Sequence, residues 1–112
     1  MITPSLILER FKAIKTYFYE NDSTDAYKEA FNEDAVVIDD MKRYTGINEI
    51  LAWRSEAYQR YSHTTTPIQV DISGDKITVI ALVVGNFSGS PINLQFEFYI
   101  LNEKIIKLEI KA

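Results

Sequence analysis

At residue 63 the hydrophobic period of this chain changes from helical to two, and nothing else in the sequence constrains the fold as tightly. Before that point apolar residues recur at helical spacing. Ile7, Phe11, Ile14 and Phe18 form one stripe, Tyr27, Ala30 and Phe31 a second, and Ile47, Ile50, Leu51, Trp53, Ala57, Tyr58 and Tyr61 a broad third. After it, Ile68, Val70 and Ile72 alternate with Gln69, Asp71 and Ser73. Ile92, Leu94, Phe96, Phe98 and Ile100 alternate in the same way with Asn93, Gln95, Glu97 and Tyr99, which is the signature of half-buried strands. Residues 77–84 are apolar on both parities and predict a central strand covered on both faces. Ser73-Gly74-Asp75 is a hairpin turn, 86–91 a loop, and Asn102-Glu103 a turn into a last strand over 104–111. Three helices gathered ahead of an antiparallel meander predict an α+β domain whose twisted sheet curls around the helices and leaves a hollow between the layers.

Local signals place the ends of the helices. Thr3 can cap the first, with Pro4 at the first helical position, where its missing N–H has no partner to lose. The cluster from Glu20 to Thr24 breaks that helix, and Asp22 or Ser23 can cap the next, which Asn32-Glu33-Asp34 closes. One strand interrupts the helical half: residues 35–38 are β-branched and apolar on both parities, and they end in Asp39-Asp40. A turn over 39–43 follows, Tyr44 enters a second short strand, and Thr45-Gly46 opens the third helix.

Asp39 is the leading candidate for chemistry. A carboxylate at the junction of helices and sheet lines the hollow, and burial of a carboxylate raises its affinity for a proton, as a general base requires. The competing reading is a solvated turn in which Asp39 or Asp40 caps a backbone N–H. His63, beside Thr64-Thr65-Thr66, reads either as a surface or cap residue or as a proton-transfer group. Trp53 reads as core and pocket wall together, while Tyr17, Tyr44, Tyr58, Tyr61 and Tyr99 can each bring a hydroxyl to an apolar pocket.

Composition excludes several classes. The 112 residues fit one domain, spanning 1–112. With no cysteine there is no disulfide framework, thiol nucleophile or Cys-based zinc site, and one histidine cannot build a His-rich metal cage, so no metal or other cofactor is expected. A net charge of −4, with basic residues scattered among acids, argues against nucleic acid as a partner. The longest apolar run falls far short of the ~20 residues that span a bilayer, and the N-terminus shows no basic-then-apolar leader. The expectation is a cytoplasmic protein with no membrane partner.

Asp34-Ala35-x-x-x-Asp39 followed by Tyr44-x-Gly46-x-x-x-Ile50-x-x-Trp53 resembles the nuclear transport factor 2-like superfamily, and within it the small SnoaL-like proteins and ketosteroid isomerase. The resemblance covers nearly the whole chain in element order. It implies a cone-shaped, cystatin-like fold, with three N-terminal helices packed on a curved, mainly antiparallel sheet. It also implies a pocket under the helices and a homodimer through the open face of the sheet. Carried over, Asp39 falls where ketosteroid isomerases hold the carboxylate that moves a proton between carbons. Glu97 falls near their second acid, the protonated one that donates to the developing oxyanion. The tyrosine of the first helix aligns with Lys15, with Tyr17 and Tyr19 close by. The strict alternation around Glu97 puts it on the face opposite Phe96 and Phe98, so its side of the sheet stays open at this point.

The superfamily spans isomerases, cyclases, epoxide hydrolases, dehydratases and members without chemistry. Three functions follow as expectations. The first is a binder of a small hydrophobic or aromatic molecule, with Tyr17, Phe18, Tyr44, Trp53, Tyr58 and Tyr99 as ligand-binding candidates. The second is an isomerase or cyclase using Asp39 and Glu97. The third is a dimerisation or interaction module whose interior is filled by its own rings.

Overall fold

A computed structural model describes residues 3–20, 23–60 and 63–112, the side chains at 58–60 excepted. Thr3 caps α1 (Pro4–Leu8) by accepting the Leu6 N–H through Oγ1 at 3.3 Å. The single first helix expected from the apolar stripe is two helices: α2 (Lys12–Tyr19) starts afresh after Phe11, whose φ of −127° leaves helical geometry. A tight turn, with Phe11 N–H donating to Leu8 O at 2.9 Å, joins them. The break rotates the second helix against the first, so that Leu8 and Ile14 both reach the core with no exposure.

Ser23 Oγ accepts the Ala26 N–H at 3.0 Å and caps α3 (Thr24–Ala30); the alternative cap, Asp22, lies outside the described residues. Asn32-Glu33-Asp34 does not close that helix as anticipated but belongs to β1 (Phe31–Asp39). The pairing of β1 with β6 (Lys104–Lys111) skips register between Phe31 and Val36. Those three exposed polar residues are accommodated as an irregularity in the strand, while Phe31 at its start stays buried. The remaining elements are β2 (Lys42–Thr45), α4 (Ile47–Arg60), β3 (His63–Ser73), β4 (Lys76–Gly85) and β5 (Ile92–Leu101). Tyr61, read as the end of the third stripe, lies outside the described residues.

The strands form one sheet in the order β2-β1-β6-β5-β4-β3, antiparallel throughout except for the parallel β1–β6 pair. Four helices and a six-stranded, mainly antiparallel sheet make the α+β cone fold. Alternate residues of the strands, among them Val37, Val79, Ala81, Phe98 and Leu108, are fully buried beneath the helices. The opposite parity carries Val36, Ile38, Ile80 and Leu82, only half-buried. The run over 77–84, apolar but for Thr78, is therefore covered by helices on one face, not two.

Strand β3 corrects another expectation. Its pairing with β4 skips register between Pro67 and Gln69. Parity reverses there: Pro67 turns into the core and Ile68, read as inward, is 49% exposed. Val70 and Ile72 keep the inner parity opposite Val79 and Ile77, with Ile72 still 41% exposed near the strand's end. The bulge anticipated at Ile105-Ile106 coincides with a register shift between Tyr99 and Ile100 on the partner strand. Among the described residues no helix is long and apolar enough to cross a membrane.

Candidate functional site

The end of β1 and the second turn of α4 meet over a cavity of about 470 Å³. Asp39 closes β1 on the parity of Ala35 and Val37, both fully buried, so its side chain turns toward the helices. Gly46, at φ +86°, makes the corner between β2 and α4, and its N–H donates to Ala35 O at 2.8 Å. Glu49 Oε1 accepts the Thr45 N–H at 2.9 Å, tying the first turn of α4 to the strand before it. This corner aims Ile50, Trp53, Arg54 and Ala57, one face of α4, back at the sheet. Trp53 Nε1 then donates to Asp39 Oδ2 at 3.0 Å. Oδ1 has no hydrogen-bond partner among the described residues.

Five aromatic side chains, Tyr17, Phe18, Tyr27, Trp53 and Phe96, line the cavity. Tyr17 and Phe18 of α2 meet edge to face, with ring centroids 5.0 Å apart, and Phe18 packs on Phe96 of β5 at 5.3 Å. Tyr17 also contacts Tyr27 of α3 at 5.7 Å. The Arg54 guanidinium lies over the Tyr27 ring, 4.4 Å from its centroid. His63, Thr64 and Thr65 at the start of β3 add polar groups, and Val83, Leu94 and Ile110 add apolar ones. Among the described residues no group of three or more acids and histidines is placed to hold a metal ion.

Of the candidates read from the sequence, Asp39, Tyr17, Phe18, Trp53 and His63 line this cavity. Tyr44 does not; it stands behind Trp53, with ring centroids 6.0 Å apart. The side chain of Tyr58 lies outside the described residues. Lys15 is turned away in ion pairs with Glu9 and Glu20 at 2.9 and 3.6 Å, and Tyr19 is exposed.

Glu97 does not line the cavity and does not meet Asp39. It lies on the other face of β5, because alternation puts Phe96 and Phe98 inward and Glu97 outward. It is nonetheless buried there, accepting hydrogen bonds from Gln95 Nε2 and, at 3.3 Å, from Lys111 Nζ. Burial alone pushes its carboxyl pKa up, but the bonds from Gln95 and Lys111 and the charges of Lys111 and Lys76 outweigh it, leaving the pKa below the ordinary value. A neutral acid donating to an oxyanion needs the opposite shift. Tyr99, expected in the pocket, shares that outer face, with Lys107 Nζ 5.3 Å from its ring.

Arg54 lines the cavity as well and is not among those candidates. Its signal is a basic residue inside the apolar arc of α4, between Trp53 and Ala57.

The chain is similar to several solved structures. A candidate polyketide cyclase from Sinorhizobium meliloti is 39% identical, with a TM-score of 0.84 over 88% of this chain and 93% of that one. A protein with a ketosteroid isomerase-like fold from Catenulispora acidiphila, in complex with trimethylamine, is 18% identical, with a TM-score of 0.77 over 99% of this chain and 87% of that one. A candidate SnoaL-like polyketide cyclase from Jannaschia is 18% identical, with a TM-score of 0.69 over 88% of this chain and 81% of that one. The last two show likeness of fold alone. No protein-family model and no curated protein sequence matches the chain.

Proposed function

The chain belongs to the nuclear transport factor 2-like superfamily, among its SnoaL-like and ketosteroid isomerase-like proteins, and from that premise we propose that its cavity binds a small, mainly apolar, ring-bearing molecule. One observation carries the reading: a carboxylate, Asp39, is held by Trp53 Nε1 in the wall of a cavity that aromatic and aliphatic side chains share. A volume of about 470 Å³ lies in the range of small-molecule sites, and rings with a few converging polar groups are their usual lining. A void of this size also weighs against a module whose interior is plugged by its own side chains. The test is a thermal-shift screen of neutral aromatic ketones and their parent hydrocarbons. A binder at a hundredfold over its Kd adds about 2.7 kcal/mol to stability. No stabilisation by any compound that fits the volume sinks the reading.

A second reading is favoured by the way Asp39 is held. A general base works best when its geometry is fixed before the substrate arrives, and the indole bond fixes one oxygen while the other remains available. In this reading Asp39 removes a proton from a carbon next to a carbonyl, and the hydroxyl of Tyr17 or Tyr27 polarises the oxygen. Deuterium uptake at the α-carbon of a bound ketone, followed by NMR, separates the two. Uptake lost in Asp39→Asn supports catalysis, and binding without uptake leaves the first reading alone.

The third element of the proposal is a homodimer through the outer face of the sheet. Half-buried Val36, Ile38, Ile80 and Leu82 on that face support it, since a second copy would cover them. Light scattering that reports a monomer at high concentration removes this element.

A further inference from the structure

The polar groups of the cavity are unequal in kind. Among the described residues Asp39 is its one acid; the other polar lining residues are Arg54, His63, Tyr17, Tyr27, Thr64 and Thr65. A guanidinium offers five N–H donors and no acceptor, and the hydroxyls can donate as well. The chain as a whole carries 16 acidic against 12 basic residues, yet this cavity pairs one carboxylate with one permanent cation and a histidine. A surface of net negative charge repels anions at long range, and the Arg54 guanidinium offsets the Asp39 carboxylate inside this cavity.

Arg54 is also held in place. Its guanidinium lies 4.4 Å from the centroid of Tyr27, a residue only 3% exposed, and its Nε is fully buried. Stacking on a fixed ring orients the planar fork before a ligand arrives, and partial withdrawal from water strengthens what the fork then binds. The group that matches a planar two-donor fork is a carboxylate. Asp39 lines the same cavity and repels a carboxylate, so an anionic ligand must enter with its charge toward Arg54 and its apolar body among Phe18 and Phe96.

We infer that the ligand of this cavity is a small aromatic carboxylic acid, bound as its anion with the carboxylate received by Arg54. The inference rests on the binding role proposed above and names the chemical class that role accepts.

Isothermal titration calorimetry with 2-naphthoate and 2-naphthamide at neutral pH tests it, because the two probes share a ring body and differ in charge. On the wild-type chain the acid is expected to bind at least about tenfold tighter than the amide, a difference of about 1.4 kcal/mol. In Arg54→Gln the acid should fall to the affinity of the amide while the amide stays unchanged. Equal binding of acid and amide to the wild type overturns the inference but leaves the cavity as a binding site. An acid preference that survives in Arg54→Gln overturns it too. Binding of neither probe to the wild type removes the binding role and this inference together. Should Arg54→Gln not fold, Arg54→Lys decides. A point charge without the fork must lower the acid-to-amide ratio without abolishing it, and an unchanged ratio overturns the assignment.

Discussion

The Trp53 indole N–H donates to Asp39 Oδ2 at 3.0 Å, so the last residue of β1 and the second turn of α4 are fastened across the mouth of the cavity. This one bond both holds the helix on the sheet and sets the direction of the carboxylate. Trp53→Phe keeps a ring at the position and removes the donor. It should cost about 1–2 kcal/mol in urea unfolding, since the acceptor is charged and part-buried. Asp39→Asn retains a side-chain carbonyl oxygen that can accept the same N–H, so its cost should be smaller. The double-mutant cycle of Trp53→Phe with Asp39→Ala, which removes the acceptor, should return coupling between the two sites. Additive losses would mean that the bond carries no weight in the fold.

The outer face of the sheet has its own pH dependence. Against burial, which raises it, the Glu97 carboxyl is held below its ordinary value of 4.5 by the hydrogen bond from Gln95, then by Lys111 and the charge of Lys76. Glu97 in turn holds Lys111 above its ordinary value of 10.5. A depressed carboxyl adds stability that is complete above its unfolded pKa and is lost as pH falls through its folded one. A raised amine adds stability that is complete below its unfolded pKa and is lost as pH rises through its folded one. The pair therefore contributes across the window between those two ordinary values and fades at both ends. Glu97→Gln should be less stable than the wild type at neutral pH, and the gap should close in acid. A gap that persists undiminished in acid would falsify this account, leaving packing as the cause.

Much of this architecture can be read from residue order, and the misreadings share a cause. Period separates helices from strands because a 3.6 repeat and a 2 repeat bury different positions, and the turn at Thr45-Gly46 is local chemistry. Asp39 was legible because an apolar strand runs straight into it. Misreadings occur where the regular repeat is broken: at Phe11 between α1 and α2, at residues 32–34, where β1 carries three extra residues, and at Ile68, the one extra residue of β3. Such slips depend on partners far along the chain, which a local pattern does not contain. Glu97 is the instructive case. Strand alternation pointed outward and the family alignment pointed inward, and the local rule governs the structure. Arg54 went unread because a charged residue beside an apolar stripe ordinarily faces water.

The tip of the β1–β2 hairpin carries a cost that the sequence can relieve. Asp40 and Met41 hold φ of 51° and 64°, the left-handed geometry of a two-residue hairpin turn. Asp tolerates that region, whereas a long side chain such as Met is strained in it. Met41 is 96% exposed and has no packing to lose. Met41→Gly should raise stability by up to about 1 kcal/mol, the relief of backbone strain being partly offset by the larger freedom of Gly in the unfolded chain. A rise in thermal midpoint with unchanged ligand binding is the expected result. A fall would show that the Met41 side chain makes contacts in solution that its exposure here denies.

Ala57 offers the cleanest separation of cavity from fold. It stands one turn beyond Trp53 on the face of α4 that lines the void, where a methyl group meets open volume. A phenyl ring introduced there occupies space that a ligand would take, and it buries apolar surface without displacing a packed neighbour. Filling cavities commonly adds ~0.5–2 kcal/mol, whereas overpacking a filled core costs ~1–3 kcal/mol. Ala57→Phe should therefore hold or raise the unfolding midpoint while abolishing the stabilisation produced by aromatic compounds. Loss of both stability and binding would mean that the void is not there in solution. Stability kept together with undiminished binding would place the ligand elsewhere on the molecule, and the roles argued for Asp39 and Arg54 would go with it.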